Sequence, residues 1–379
     1  MLSRGAGNLT IHRHGDRPCR RNAIVFLAQK KHSSYKRDSF ANLLEALRLL
    51  EVNYLSIDKH AENADVFIFH TGDFNSTDLK EFRASLTPAS MEAIHIVDIS
   101  LSRYWRRPSW HEFDDPHKWY VYPLFSEGYR RMIHFFAIDI WKFFDDYNHH
   151  MGCNYTYIMR LDEDSYIHSR IEYDLFDFMN DHSYDYGYRL CAYEMGVALP
   201  IWGKWQAKRG RNIPIHRNIE GDMCGIYNNF FIARVGYFLS WPVNSFLGFV
   251  DRQGMIYRRR LGDLMIHSMA VFAFAPKERV HRFLDFTYEH GTPDQMTGCV
   301  VWGGIQAGYK DTNARANLMK YHDEKVSAPG CDVNITYMKP PDLSPSYSHL
   351  VENGVTDEVS LHTIMVGKVE RFDMGQLSG

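Results

Sequence analysis

The chain has 379 residues, of which 45% are hydrophobic and 23% charged, and its formal net charge is −3 at pH 7. This length and apolar content suffice for a sizeable core in one large or two smaller domains. The near balance of charges gives no reason to expect nucleic acid as a partner. Six cysteines in so long a chain are too few for a protein built on a disulfide scaffold.

The N-terminal segment does not have the pattern of a membrane anchor. No apolar run of about 18 residues occurs, and the start lacks the charged and apolar regions of a signal peptide. Residues 1–21 are polar and basic, so we expect a tail or stem, with the protein either soluble or anchored by a segment absent from this sequence. Four N-x-T sequons, at Asn8, Asn75, Asn154 and Asn334, mildly favour a secretory-pathway lumen.

Strand and helix patterns alternate through the first half of the chain. The predicted elements are, in order, a strand at 22–28, a helix at 37–50, a strand at 65–70, a helix near 77–84, a strand at 93–97, a helix at 127–147 and a strand at 155–161. This alternation predicts an α/β fold with a largely parallel sheet covered by helices.

The second half continues the pattern and then loses it. The predicted elements are a helix at 173–179, a strand at 186–191, a polar Trp-containing loop at 201–222, a strand at 230–233 and a helix at 264–274. Beyond Gly291, glycines and prolines interrupt the periodicity, so we expect an irregular C-terminal extension at 301–379.

Three consecutive carboxylates, Asp162-Glu163-Asp164, follow the strand at 155–161. Ligands of α/β sheets bind at the carboxyl ends of the strands. The two aspartates are two residues apart, so on an extended backbone they point to the same side. Such a pair can hold a hard divalent ion against the phosphates of a nucleotide sugar. This pattern is typical of a DxD-type metal motif, although acid triplets also cap helices and occur in loops.

Further short strings occur in a fixed order around this motif. They are Gly128-Tyr129-Arg130-Arg131-Met132, Arg160-Leu161-Asp162-Glu163-Asp164, Tyr186-Gly187-Tyr188, Tyr193-Glu194, Leu199-Pro200-Ile201-Trp202, Asn229-Phe230, Asp251-Arg252-Gln253-Gly254, Gly262-Asp263, His267-Ser268 and Tyr288-Glu289-His290. Their order and spacing resemble the fungal-type α-1,2-mannosyltransferases of glycosyltransferase family fifteen, over roughly residues 128–290.

The resemblance implies a GT-A-type glycosyltransferase fold, a Rossmann-like mixed sheet flanked by helices. It further implies a GDP-mannose donor, a manganese cofactor (Mn2+) and retention of the anomeric configuration, with a glycan or glycoprotein acceptor in the Golgi lumen. We expect a catalytic domain at 22–300, divided into a nucleotide-binding half at about 22–165 and an acceptor half at about 166–300.

The resemblance also assigns roles to individual residues. It implies Asp162, Asp164 and His290 as metal ligands and Asp263 as a catalytic residue. Glu194 is a second catalytic candidate, which could accept hydrogen bonds from sugar hydroxyls or serve as a cap or surface ion pair. The donor-binding candidates are Arg130, Arg160, Asn229 and Arg260 together with Asp162 and Asp164. Each arginine is equally well explained as a structural ion-pair former. Trp202, Trp205 and Tyr227 are candidates for the acceptor side.

The chain departs from the family at two positions that matter for chemistry. Phe231 stands where the family has a glutamate proposed as nucleophile, and Phe135-Phe136 cover the position of a family tyrosine. Three accounts are open: same-face transfer without a protein nucleophile, a different donor sugar or acceptor, or loss of catalysis. We expect the first two. The rivals are a carbohydrate-binding pseudoenzyme, a transferase using another nucleotide sugar, and a metal-dependent hydrolase.

Overall fold

Two β-sheets organise the computed structural model. It describes residues 10–12, 18–30, 39–57, 59–87, 90, 92–123, 125–192, 198–209, 225–293, 300–308, 310–324, 334–338 and 369–373. The strands are β1 (Thr10–His12), β2 (Asn22–Ala28), β3 (Ala64–His70), β4 (Ile94–Asp98), β5 (Tyr157–Leu161), β6 (Ser165–Ile167), β7 (Tyr186–Ala192), β8 (Gly225–Arg234), β9 (Val280–Arg282), β10 (Tyr288–Pro293), β11 (Val300–Gln306), β12 (Asn334–Met338) and β13 (Val369–Asp373).

The larger sheet has the strand order β1-β4-β3-β2-β5-β8-β7-β9, and the smaller one β13-β12-β11-β10-β6. Strands β4, β3, β2 and β5 are mutually parallel, whereas β8 is antiparallel to both β5 and β7. The larger sheet is therefore mixed. The carboxyl ends of its four parallel strands lie at one edge, where the loops after β4 and β5 emerge.

The helices are α1 (Ser39–Leu50), α2 (His60–Asn63), α3 (Ser76–Ala84), α4 (Glu127–His134), α5 (Ile140–Met151), α6 (Leu175–Asp181), α7 (Ala198–Arg209), α8 (Val235–Leu239), α9 (Trp241–Gln253), α10 (Met255–Arg259), α11 (Asp263–Phe274) and α12 (Ala314–Glu324). A π-helical turn, Phe135–Asp139, joins α4 to α5. No helix among the described residues is both long and apolar enough to cross a membrane.

The larger sheet separates two hydrophobic cores, because alternate side chains of a strand point to opposite faces. On β2, Ala23 and Val25 belong to one core and Ile24 and Phe26 to the other. The first core takes apolar side chains from α4, α5, α9 and α11, and the second takes them from α1 and α6. Helices thus cover both faces of the sheet, as the alternation of strand and helix patterns predicted.

Two expectations about local structure were wrong. Residues 198–209 form α7, where we expected a polar loop from residue 201. Ile201, Trp202 and Trp205 lie on one face of this helix and are buried, and the intervening basic and small residues concealed that face in the sequence. Residues 210–222, the rest of the expected loop, lie outside the described residues.

The C-terminal extension is also more regular than expected. Within 301–379 the structure contains most of β11, all of α12, and strands β12 and β13. Two adjacent glycines, Gly303 and Gly304, break the apolar alternation of β11, which explains why the sequence did not indicate a strand. Because β11 pairs with β10, the expected boundary at residue 300 falls within a pair of hydrogen-bonded strands. The other domain boundaries stay predictions.

Cys19 and Cys153 form a disulfide with their Cα atoms 5.5 Å apart. Cys19 precedes β2 and Cys153 follows α5, so the bond lies near the amino ends of β2 and β5. The sequence had left the pairing of cysteines open.

Candidate metal centre and active site

A tight turn holds the acidic motif at the carboxyl end of β5. The Ser165 backbone N–H donates to the Asp162 carbonyl over 3.0 Å, and the Asp162 N–H donates to the Asn229 carbonyl over 3.2 Å. The chain then reverses into β6, which belongs to the smaller sheet. The two aspartates therefore converge through a turn, and not through the extended geometry that the sequence suggested.

His290 completes a three-residue cluster with these aspartates. Candidate ligand atoms of Asp162, Asp164 and His290 all lie within 4.8 Å of one another. His290 is on β10, directly opposite Ser165 of β6, and its Nδ1 is 3.4 Å from Asp164 Oδ1. Two carboxylates and one imidazole suit a divalent ion of borderline softness. The residues present therefore fit a divalent metal site.

Two residues that the sequence analysis did not single out support His290. Ser165 Oγ is 3.3 Å from His290 Nδ1, and the Tyr288 hydroxyl donates to Ser165 Oγ over 2.8 Å. Both side chains are buried. The only sequence signal was proximity, since Ser165 follows the acidic motif directly and Tyr288 is in the same short string as His290. Groups of this kind orient a ligating histidine.

One buried guanidinium connects the metal cluster to Asp263. Arg160 Nε donates to Asp162 Oδ1 over 2.7 Å, and its Nη1 donates to Asp263 Oδ2 over 2.5 Å. The guanidinium carbon lies 3.6 Å from the ring centroid of Phe136. Burial raises the pKa of Asp162, and the positive charge of Arg160 partly offsets this rise. Asp263, the first residue of α11, is thereby fixed beside the cluster.

Asn229 lies next to the same turn, and the surroundings of its side chain are unusual. It is buried, and neither Oδ1 nor Nδ2 has a hydrogen-bond partner among the described residues. Buried amides are normally paired, so an unpaired one calls for a ligand or a water molecule. Its position is compatible with the donor-binding role expected for it, which stays a prediction.

The structure does not bring every expected site residue to this cluster. The guanidinium of Arg130 is buried and donates to the carbonyls of Phe125, Tyr257 and Tyr120, which is a structural role. Arg260 Nη2 donates to the Tyr129 hydroxyl over 3.0 Å. Donor binding by these two arginines stays a prediction, and their described contacts do not require it. Glu194 lies outside the described residues.

Of the three candidates for the acceptor side, the structure places one at the metal cluster and two in the core. Trp202 and Trp205 are buried, with ring centroids 5.0 Å apart, so their assignment to the acceptor side stays a prediction that their contacts do not require. Each packs on Phe246 and Phe274, which explains their aromatic character without a ligand. Tyr227 does lie at the metal cluster, edge-on to His290 at 5.3 Å.

Phe231 lies in a buried aromatic pocket. It is opposite Arg160 in the β5–β8 ladder and fully buried, with ring centroids of Tyr186 and His267 at 5.4 and 5.1 Å. Burial lowers the pKa of His267 to about 4, so this imidazole is neutral near pH 7. The position where the family has a glutamate therefore offers neither a nucleophile nor a charge.

The fold matches that of solved mannosyltransferase structures. The structure of the mannosyltransferase Ktr4p from Saccharomyces cerevisiae in complex with GDP has a TM-score of 0.60 at 17% identity, covering 93% of this chain and 88% of that one. Core-mannan synthase A from Aspergillus fumigatus, in its Mn/GDP form, has a TM-score of 0.58 at 18% identity, covering 76% and 78%. The GT-A-type α/β fold expected from the sequence is confirmed.

Sequence comparison identifies relatives over a shorter stretch. The glycolipid 2-alpha-mannosyltransferase of Saccharomyces cerevisiae is 25% identical over 233 residues, which is 56% of this chain and 50% of the relative. Glycolipid 2-alpha-mannosyltransferase 2 of Candida albicans is 26% identical over 183 residues, 45% and 38% of the two chains. The matched part of the chain thus spans half or less of the length of these relatives. Residues 80–326 match the family described as glycolipid 2-alpha-mannosyltransferase, and the chain belongs to that family.

Proposed function

We propose that the protein is a retaining glycosyltransferase that moves mannose from GDP-mannose to a glycan or glycoprotein acceptor with the help of Mn2+. The observation that carries this proposal is the cluster of Asp162, Asp164 and His290, linked through Arg160 to Asp263. The family relationship supports mannose as the sugar. The GDP and Mn/GDP forms of the two similar structures support the nucleotide and the metal.

In this proposal each group at the cluster has a defined task. Asp162, Asp164 and His290 would hold the ion, which when bound offsets the negative charge of the diphosphate. Arg160 offsets part of the rise that burial imposes on the pKa of Asp162, and its Nε donates to Asp162 Oδ1, which orients the carboxylate. Asp263, paired with Arg160, would contact the sugar, and the Asn229 amide would hydrogen-bond the donor.

Retention of configuration would then proceed without a protein nucleophile. A phenyl ring at position 231 cannot attack an anomeric carbon. The alternative is same-face transfer, in which the bond from the anomeric carbon to the phosphate oxygen breaks and the acceptor oxygen bonds from the same side. The acceptor proton passes to the departing diphosphate. The buried aromatic surroundings of Phe231 are compatible with this route, since they place no carboxylate at this position that could act as a nucleophile.

We further propose that the protein works in the lumen of the secretory pathway, in the Golgi. The Cys19–Cys153 disulfide supports an oxidising compartment, because such bonds are rare in the cytosol. The exposed sequon at Asn154 is compatible with that compartment.

The test is thermal stabilisation by nucleotide sugars with and without Mn2+, followed by donor turnover. A ligand that binds only the native state raises the melting temperature. We expect stabilisation by GDP-mannose only with Mn2+. In Asp164→Ala we expect this stabilisation and the turnover to be lost, with an unchanged melting temperature of the free protein. Asp181→Ala, an exposed aspartate at the end of α6, is the matched control.

Other results would select a rival. Wild-type stabilisation and turnover in Asp164→Ala would remove the motif from the mechanism. Stabilisation by a UDP-sugar would discard mannose and keep the chemistry. Saccharide binding without any response to donors would favour a carbohydrate-binding protein. Release of free sugar that is not reduced when an acceptor is added would favour a hydrolase.

A further inference from the structure

Exposed apolar side chains concentrate in the segment that follows β4. In the described part of the chain, five of the eight exposed large apolar residues lie between Leu101 and Val121. Three of them are aromatic: Trp110, Phe113 and Tyr120 are 52%, 94% and 57% exposed. Leaving such rings in water forgoes the free energy of burial, so a cluster of them commonly marks a binding surface.

The segment that carries these rings is held rigidly by polar contacts. Arg107 donates to the carbonyls of His111, Glu112 and Asp114 and forms an ion pair with Glu127 at 2.8 Å. These contacts close the backbone around Trp110 and Phe113 into a fixed loop. The exposure of the rings is therefore a property of an ordered surface.

The loop is also docked on α9 and α10. Arg258 forms two hydrogen bonds with the Asp114 carboxylate, at 2.7 and 2.9 Å. The buried His111 ring lies against Gly254, where a Cβ atom would be only 2.2 Å from the ring. The Tyr120 N–H donates to the Arg258 carbonyl over 3.0 Å. The rings thus have a defined place relative to the helix that precedes Asp263.

This place is linked to the candidate active site through the fold. β4 is parallel to β5 within the larger sheet, so the loop after β4 emerges at the same edge as Asp162. Arg130 binds the carbonyls of both Tyr120 and Tyr257, which joins the loop to α10. From α10 the chain continues directly to Asp263. The exposed rings are therefore connected to the acidic cluster through one ordered stretch of backbone.

The charges around the rings favour a neutral ligand. Arg103 is paired with Asp146, and Arg258 with Asp114. The other exposed charged residues of this surface have both signs, namely Arg106, Glu112, Asp115, Lys118 and Arg259. An anionic membrane would require a cluster of basic groups, which is not the pattern here. Aromatic faces beside positively and negatively charged groups, which can hydrogen-bond hydroxyls, suit a saccharide.

We propose that Trp110, Phe113 and Tyr120 form an aromatic platform that binds the acceptor saccharide, by stacking against sugar residues beyond the one that receives the transferred sugar. This inference rests on the proposed function, since it specifies the acceptor side of the same site. It predicts a preference for oligosaccharide acceptors over a single sugar.

The experiment compares Trp110→Ala, Phe113→Ala, Tyr120→Ala and the triple variant with the wild type, using α-mannobiose and methyl α-mannoside as acceptors. We expect the triple variant to raise the KM for mannobiose by about tenfold or more, with kcat and the KM for GDP-mannose unchanged. The KM for methyl α-mannoside should change little. Tyr120→Phe keeps the ring and should keep the wild-type KM. Trp241→Ala, which removes a ring 67% exposed outside the platform, is the control.

An unchanged KM for mannobiose in the triple variant would overturn the proposal. A loss confined to kcat or to donor binding would overturn it as well, because a platform acts on the acceptor. If the wild type turns over no donor, the proposed function fails separately. Saturation-transfer NMR with mannobiose then tests the platform directly: binding by the wild type and not by the triple variant supports it, and any other result contradicts it.

Discussion

Arg160 has two carboxylate partners that belong to different parts of the site. One is Asp162 of the metal cluster and the other is Asp263 at the start of α11. The planar guanidinium can serve both at once, because its donors point in fixed and different directions. The Phe136 ring beneath it limits the guanidinium to this plane. The position of Asp263 is thus coupled to the metal motif through a single side chain.

The variant Arg160→Lys keeps the positive charge and removes the two-sided contact. We expect donor turnover and Mn2+ affinity to fall by about 10- to 100-fold, the usual effect of losing a group that orients metal ligands. Titration of Mn2+ by isothermal calorimetry, without donor, measures the affinity independently of turnover. Arg170→Lys alters an exposed ion pair with Glu172 and should behave like the wild type. Equal Mn2+ affinities in the two variants would contradict this role for Arg160.

The sequence identified the members of the site better than their arrangement. Asp162 and Asp164 were evident as carboxylates at a strand end, but the turn that brings them together depends on pairing with β8 and β10. The role of Arg130 could not be predicted, because its three partners are backbone carbonyls from separate segments. Phe136 was noted for its missing hydroxyl, whereas its contact with Arg160 appears only in the folded chain.

Among the elements, the π-helical turn between α4 and α5 is tied to α9 by a buried histidine. His134 Nδ1 is 2.8 Å from Asp139 Oδ2, and its Nε2 is 3.0 Å from Asp251 Oδ1. Burial opposes the charge on His134, but the two carboxylates outweigh it and raise the pKa to about 9. This contact ties the π-helical turn, which carries Phe136 over Arg160, to α4 and α9.

A raised pKa makes this contribution to stability dependent on pH. The ordinary pKa of histidine is 6.5. The contribution of His134 is therefore complete below about pH 6.5 and disappears as the pH rises through 9. At pH 6, His134→Gln should lower the free energy of unfolding by about 3 kcal/mol, since two buried carboxylates lose their partner.

The measurement is urea unfolding of the wild type and His134→Gln between pH 6 and pH 10. We expect the difference between them to shrink as the pH rises from about 6.5 and to be mostly lost once the pH passes about 9. His149→Gln, at an exposed position on α5, should show no such trend. A difference that stays constant over this range would mean that the charge of His134 does not stabilise the fold.

The elements themselves were predictable where their apolar period was clear. β2, β3, β4 and β5 are short apolar runs, and α1 has apolar residues at helical spacing. The helix α7 and the strand β11 were not predicted, because other residues interrupt the apolar pattern of each. In α7 the buried face is interrupted by Gly203 and Lys204, and in β11 two glycines remove the alternation. Both elements are stabilised by packing or pairing with distant segments, which a local pattern does not contain.

At the scale of the whole molecule, the disulfide ties the N-terminal segment to the end of α5. Cys19 and Cys153 are separated by 134 residues, so the bond closes a long loop of the unfolded chain. Cross-links of this kind stabilise mainly by restricting the unfolded state, typically by about 2–4 kcal/mol.

The double variant Cys19→Ser/Cys153→Ser should lower the free energy of unfolding by about 3 kcal/mol in urea. Because the bond lies at the amino ends of the strands, Mn2+ binding by the folded variant should stay as in the wild type. Reduction of the wild-type protein should give the same stability as the double variant. A variant as stable as the oxidised wild type would exclude a stabilising role for the disulfide.

The two sheets contribute to one metal centre, and this has a consequence for synthesis. Asp162 and Asp164 follow a strand of the larger sheet, whereas His290 is on the smaller sheet and follows Ser165 by 125 residues. A nascent chain that has been synthesised only as far as the strands before β10 carries Asp162 and Asp164 but not His290. Products of premature termination before residue 290 would therefore lack one ligand of the centre, so that only chains translated past β10 carry the complete set.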